Sequence, residues 1–277
     1  MNIYRACAIL TLMLFVCCKG ETMTVERIQF DSFTGVSPST WEALANRKIF
    51  FGHQSVGDNI IQGIGECMDG NPGLKLDVRK TKKTDAFGKG VFAHFPIGKN
   101  EDPGSKIDDF NRIMRSGIGE RVDIALFKFC FVDITASTDV RKLFDEYRAT
   151  MASLRGDYPD VTFVNVTVPL LRKEKSSLKA WMKKVLGRGD GFFADEHNVR
   201  RNEFNELMRK EYGGRAPVFD LAAIESAYPD GSRETFTHGG KIYYSLAPDY
   251  TEDGGHLNGP GRKVVSEQFL VFLSRIP

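Results

Sequence analysis

Lys48-Ile49-Phe50-Phe51-Gly52-His53-Gln54-Ser55-Val56-Gly57 joins an apolar run to the start of a periodic one. Ile49 to Phe51 reads as a short strand buried on both faces. From Ser55 onward, Ile60, Ile61, Ile64 and Met68 recur at helical spacing, which predicts a helix over 55–68. A two-sided apolar strand that turns directly into a helix is the opening unit of a parallel sheet covered by helices. Ser55 stands at the joint, where a hydroxyl projects from the strand end and a backbone N–H lies at a helix N-terminus. That placement suits a nucleophile with a built-in oxyanion donor. It equally suits a plain N-cap serine between turn glycines.

The same alternation continues along the chain. Leu74 to Val78, Asp123 to Cys130, Val161 to Val168 and Pro217 to Leu221 read as further strands. Helices are predicted from Pro103-Gly104-Ser105, with Ser105 as N-cap and Ile107, Phe110 and Met114 on one face, and then over 138–154, 198–212 and 261–276. The expected class is α/β, with a five-stranded parallel sheet and helices on both sides. Ligands of such open sheets bind beyond the carboxyl ends of the strands. The loops after the first, third and fifth strands are therefore where chemistry is expected.

Composition narrows the classes. The chain has 277 residues, a formal net charge of +2, 42% hydrophobic residues and 27% charged residues. The apolar fraction is that of a folded globular protein. Near-balanced charge argues against a dedicated nucleic-acid binder, which needs a basic excess. Five cysteines without a CxxC pair do not make a disulfide scaffold. At the N-terminus, Arg5 precedes an apolar stretch from Ala6 to Val16, interrupted only by Thr11 and ending at Cys17-Cys18 before polar Lys19-Gly20-Glu21-Thr22. This resembles a bacterial lipoprotein signal, which implies lipidation at Cys18 or Cys17; only Cys18 has a small residue just before it. A plain secretory signal and an uncleaved anchor are the alternatives. The expected organisation is a signal peptide over 1–18, a polar tether over 19–40 and a domain over 41–277, exported to the periplasm or cell envelope and membrane-attached through the lipid. Cys67 and Cys130 are the internal thiols, their pairing open.

The last loop, Thr251-Glu252-Asp253-Gly254-Gly255-His256-Leu257-Asn258-Gly259-Pro260-Gly261, offers partners for the serine. A carboxylate three residues before an imidazole is placed to hold its Nδ1–H, leaving Nε2 free to take a proton from a hydroxyl. Alone, such a pair is an ordinary turn. With Ser55 at the first strand end, in the order serine, aspartate, histidine, it points to acyl chemistry.

Here the chain resembles the SGNH/GDSL hydrolase superfamily. Asp253-Gly254-Gly255-His256-Leu257-Asn258-Gly259-Pro260-Gly261 is similar to its C-terminal DxxHLNxxG block, and Phe51-Gly52-His53-Gln54-Ser55-Val56-Gly57 to its serine block. Asn198 to Asn205 resembles its fourth helix. The resemblance covers about 45–277. It implies a three-layer α/β/α sandwich, strand order 2-1-3-4-5, and a metal-free serine esterase or acyl-transfer activity without a cofactor. Ser55 would be the nucleophile, His256 the base and Asp253 its orienter.

The departures are specific. The family's Gly-Asp-Ser is replaced by Gly52-His53-Gln54-Ser55, one residue longer. The glycine that lends an N–H to the oxyanion hole is either Gly104, favoured because a helix start presents free N–H groups, or Gly98. The family's GxND becomes Cys130-Phe131-Val132-Asp133, so only Asp133 matches. A missing oxyanion donor costs about 10²–10³ in rate unless another group replaces it; His53, Gln54, Lys128 and Asn100 are the candidates.

The remaining features weigh less. His53, His94, His197, His238 and His256 show no zinc-site spacing, so no metal is expected. Gly88-Lys89-Gly90 reads as a turn. Over 172–188, Leu178, Trp181, Met182 and Val185 at helical spacing are surrounded by Arg172, Lys173, Lys175, Lys179, Lys183, Lys184 and Arg188, which suits a lid, an anionic-glycan contact, a membrane-surface helix or a solvated basic helix. The expected function is an exported serine esterase acting on O-acyl groups of a carbohydrate or envelope polymer. An O-acyltransferase and a non-catalytic glycan-binding lipoprotein on the same fold are the alternatives. The partner is an ester substrate, small or polymeric, and the oligomeric state is open.

Overall fold

The computed structural model describes residues 25–173 and 195–277. The signal stretch with Cys17 and Cys18, and most of the basic run over 172–188, lie outside the described residues.

The elements, in chain order, are α1 (Pro38–Ala45), β1 (Lys48–His53), α2 (Val56–Gly70), β2 (Val78–Lys80), β3 (Val91–Pro96), α3 (Pro103–Ile113), β4 (Ile124–Phe127), α4 (Val140–Asp157), β5 (Thr162–Val166), α5 (Asp195–Tyr212), β6 (Val218–Phe219), α6 (Leu221–Glu225), β7 (Thr235–His238), β8 (Lys241–Tyr244) and α7 (Gly259–Ser274). Among the described residues, a parallel six-stranded sheet runs β2-β3-β1-β4-β5-β6, and β7 and β8 form a separate antiparallel hairpin.

The α/β class, the parallel sheet and the flanking helices match the expectation; the strand count does not. Leu74 enters the core as coil, and the edge strand is only Val78 to Lys80, with the Asp77 carbonyl accepting the Phe92 N–H at 2.9 Å just before it. The strand beside β1 is Val91–Pro96, where His94 and Pro96 break the apolar pattern that identifies the other central strands. Without the edge strand, the order β3-β1-β4-β5-β6 is the expected 2-1-3-4-5.

Period-two alternation sorts the strands onto two cores. Ile49, Phe51, Ile124 and Leu126 face one side with Ile60 and Ile64 of α2, Leu221 of α6 and Val265 and Phe269 of α7. Phe50, Ala125 and Phe127 face the other with Ile107 and Phe110 of α3, Tyr147 of α4 and Phe204 of α5. Part of the expected tether lies on the body. Phe33 and Val36 pack on the first core, Trp41 and Leu44 are buried in it, and the Asp31 backbone exchanges hydrogen bonds of 2.8 and 2.9 Å with the Gln268 amide of α7.

Helix starts follow local chemistry. Asp139 caps α4 and Asp220 caps α6. At α3 the cap is Asp102, whose carboxylate accepts the Ser105 N–H at 3.1 Å, so Ser105 lies inside the helix rather than at its cap. Proline at the first helical position suits this earlier start.

Candidate active site

β1 ends at His53, and Ser55 sits at the N-cap position of α2 with φ 56° and ψ −110°. Positive φ at a non-glycine residue is strained, and such strain collects at functional turns. The turn is held tightly: a Cβ on Gly57 would lie 2.4 Å from the His53 side chain, so only glycine fits there. Although Ser55 occupies the cap position, its hydroxyl caps no N–H of α2. It bonds His256 Nε2 at 2.6 Å instead. The hydroxyl of this turn is therefore not a helix cap.

His256 Nδ1 meets Asp253 Oδ2 at 2.6 Å. With Nδ1–H donated to the carboxylate, Nε2 is left to accept from the serine hydroxyl. Asp253 Oδ1 accepts the N–H groups of Gly255 and His256 at 2.9 and 2.8 Å and the Thr251 hydroxyl at 3.2 Å. Partial burial pushes the Asp253 carboxyl up, but the Gly255 N–H, the His256 ring N–H, the His256 backbone N–H and the nearby imidazole outweigh it and hold it at about 2. Phe131 meets the His256 ring edge-on, with centroids 5.4 Å apart. Two further bonds fix the loop between helices. Asn59 Oδ1 of α2 accepts the Leu257 N–H at 3.0 Å, and Asn258 caps α7 through the Gly261 N–H at 3.0 Å. Glycine is required at 261, where a Cβ would meet the Tyr250 carbonyl at 2.5 Å.

The oxyanion candidates separate. His53 is fully buried, its Nε2 lies 2.9 Å from His94 Nδ1, and its ring stacks on that of His94, so it does not face the site. Burial, then the Lys128 charge, holds its pKa at about 2. The Gln54 amide nitrogen donates to the carbonyls of Ile97 and Gly98 at 2.7 and 2.6 Å, which makes it scaffold. Gly98, at φ 55°, gives its N–H to Asp109 Oδ2 at 2.9 Å and is removed as a donor. Gly104 lies in the first turn of α3, where a helix leaves its N–H groups without intrahelical partners. Lys128 is fully buried on the Phe129 carbonyl at 3.1 Å and Cys130 Sγ at 3.6 Å, and burial pushes its pKa down. Asp133 is buried against the equally buried Lys106 and accepts the N–H groups of Glu101 and Cys130 at 3.0 and 2.6 Å. Asn100 is exposed, with Oδ1 accepting from Lys106 Nζ at 3.0 Å.

Sequence reasoning missed Lys106, Thr251, Asn59 and Phe131. Lys106 left a signal: it shares a helical face with Phe110 and Ile113, where a charge needs a partner. Cys67 and Cys130 are both buried and unpaired with each other. Among the described residues, no group of three or more His, Cys, Asp or Glu is arranged to hold a metal ion.

No protein-family model and no curated protein matches the chain. Its fold is similar to solved structures. One is a Streptococcus pneumonia protein whose description names a platelet activating factor, at 15% identity and TM-score 0.48, covering 85% of this chain and 90% of that one. Another is a member of the lipolytic protein G-D-S-L family from Veillonella parvula, at 12% identity and TM-score 0.44, covering 82% and 98%. A third is a Clostridium thermocellum family 3 carbohydrate esterase, at 11% identity and TM-score 0.39, covering 80% and 92%.

Proposed function

We propose that this chain is a serine hydrolase of ester bonds. The observation that carries the reading is the unbroken chain Ser55 Oγ, His256 Nε2, His256 Nδ1, Asp253, with both links at 2.6 Å. Nucleophile, base and orienter are joined in the geometry that serine acyl chemistry requires. Ser55 Oγ attacks the acyl carbon while its proton passes to His256 Nε2. The tetrahedral intermediate collapses to an acyl-Ser55, and the leaving alcohol takes the proton from Nε2. Water then attacks the acyl group and gives a proton to Nε2; the second tetrahedral intermediate breaks its bond to Ser55 Oγ, which takes that proton back from Nε2 as the acid is released. An acceptor hydroxyl in place of water makes the second step acyl transfer.

The proposed substrate is an O-acyl group, for instance O-acetyl, on a carbohydrate or envelope polymer. The export-type N-terminus ending in Cys17-Cys18 supports that class and an envelope location. The test is fluorophosphonate labelling of the protein without its first 18 residues. Labelling that disappears in both Ser55→Ala and His256→Ala is the expected outcome. A folded wild-type protein that does not label overturns the proposal in favour of a non-catalytic glycan-binding protein, the reading that Val132 in place of the family's asparagine favours.

A further inference from the structure

Attack by Ser55 places negative charge on an oxygen beside the nucleophile, and that oxygen needs donors. The Ser55 N–H lies at the start of α2. The next segment over, Ile97 to Asp102, has little backbone left to give: the Gly98 N–H is held by Asp109, and the Lys99 N–H by Ser105 Oγ at 2.8 Å. We propose that the Asn100 side chain supplies the missing donor, and that the buried Lys106–Asp133 pair positions it. This inference rests on the hydrolase reading above.

The carboxamide's orientation follows from its contacts. Lys106 Nζ has no solvent exposure and bridges Asn100 Oδ1 and Asp133 Oδ2. A planar amide whose oxygen is turned onto a buried ammonium directs the Nδ2 hydrogen anti to that oxygen away from the ammonium. Among the described residues Nδ2 donates to nothing. The cation at Oδ1 also draws electron density from the amide, which strengthens Nδ2–H as a donor.

The segment is anchored beside the nucleophile. Gln54, the residue before Ser55, grips the carbonyls of Ile97 and Gly98, and its own carbonyl accepts from Cys130 Sγ at 3.4 Å. The Cys130 N–H in turn bonds Asp133 at 2.6 Å. Glu101, next to Asn100, holds φ 68° and donates its N–H to Asp133. A strained non-glycine backbone persists only where its surroundings fix it. The loop is thus set against the Ser55 turn and the Cys130–Asp133 turn together.

Steady-state turnover of p-nitrophenyl acetate tests the assignment. Asn100→Ala is expected to lower kcat about 10²–10³-fold, with KM changed by less than about threefold and thermal stability lowered, because the buried Lys106 ammonium loses its bond to Oδ1. Asn100→Asp keeps the size, loses the donor and should be no better than alanine. Lys106 is tested as a positioning residue by the double variant Lys106→Met with Asp133→Leu, which leaves no lone buried charge. Its loss in kcat should not add to that of Asn100→Ala in the triple variant. If the double variant does not fold, the Asn100 variants alone decide. A wild-type protein that labels at Ser55 while Asn100→Ala keeps kcat within about threefold overturns this inference alone. A folded wild-type protein with neither labelling nor turnover overturns the hydrolase reading, and this inference with it.

Discussion

Asp253 is the residue whose charge state decides whether His256 is oriented. Its side chain is more than half exposed, yet three hydrogen bonds and the adjacent imidazole hold its pKa at about 2. A carboxyl lowered from 3.8 stabilises the fold above 3.8 and loses that contribution as pH falls toward 2. Asp253 should therefore contribute no limb to the pH profile of kcat/KM between about pH 4 and 8, and a carboxyl-carbon NMR titration of Asp253 should show it ionised at about pH 3. Protonation near its ordinary pKa would mean that the His256 loop is not held as described. Asp253→Asn keeps the shape but allows the wrong imidazole tautomer. It should lower kcat by about 10⁴, with the denaturant midpoint little changed. A loss of tenfold or less would show that His256 does not depend on this carboxylate.

At the scale of elements, the site depends on how α2 meets α7, since Ser55 begins one helix and His256 immediately precedes the other. Their contact is close at Gly63, where a Cβ would lie 2.2 Å from Ser266 Oγ and 2.9 Å from the Arg262 carbonyl. Ser266 Oγ itself bonds the Ile60 carbonyl at 3.1 Å. Gly63→Ala should push the helices apart and cost about 1–3 kcal/mol, read from urea unfolding. It should also lower kcat, because the Ser55–His256 bond spans the two helices. Unchanged stability would show that the contact relaxes freely. These helices were legible in the sequence because Ile60, Ile64, Val265 and Phe269 repeat at the helical period. β3 was not: His94 and Pro96 interrupt the apolar run of Val91, Phe92, Ala93 and Phe95. The serine–aspartate–histidine constellation was legible from its spacing and from the strand-end placement of Ser55. Asp133 and Asn100 were named from the sequence, but Lys106 and the link it makes between them were not, because the three come together only when the loops after β3 and β4 lie side by side.

At the scale of the whole molecule, buried charge tunes stability against pH. Glu225, at the end of α6, has no solvent exposure; its Oε1 accepts the Leu170 N–H, and its Oε2 has no partner among the described residues. Burial raises its pKa to about 8 against the pull of the Leu170 N–H and the Lys128 and Arg201 charges. A carboxyl raised from 4.5 binds its proton more tightly in the folded state, so its contribution is complete below 4.5 and is lost as pH rises toward 8. His53 works on the other side. Held at about 2 from 6.5, it stays neutral while the unfolded chain takes up a proton, so stability falls as pH drops below 6.5. The two trends bracket a maximum near the weakly acidic range. Glu225→Gln keeps the shape and removes the titration. Between about pH 5 and 8, its unfolding free energy should fall less steeply than that of the wild type, by up to about 1.4 kcal/mol per pH unit. Urea unfolding at several pH values measures the slope. Equal slopes in the two proteins would show that Glu225 is already ionised in the folded state and is matched by Arg201 and Lys128, whose burial would then be the cost that the pair offsets.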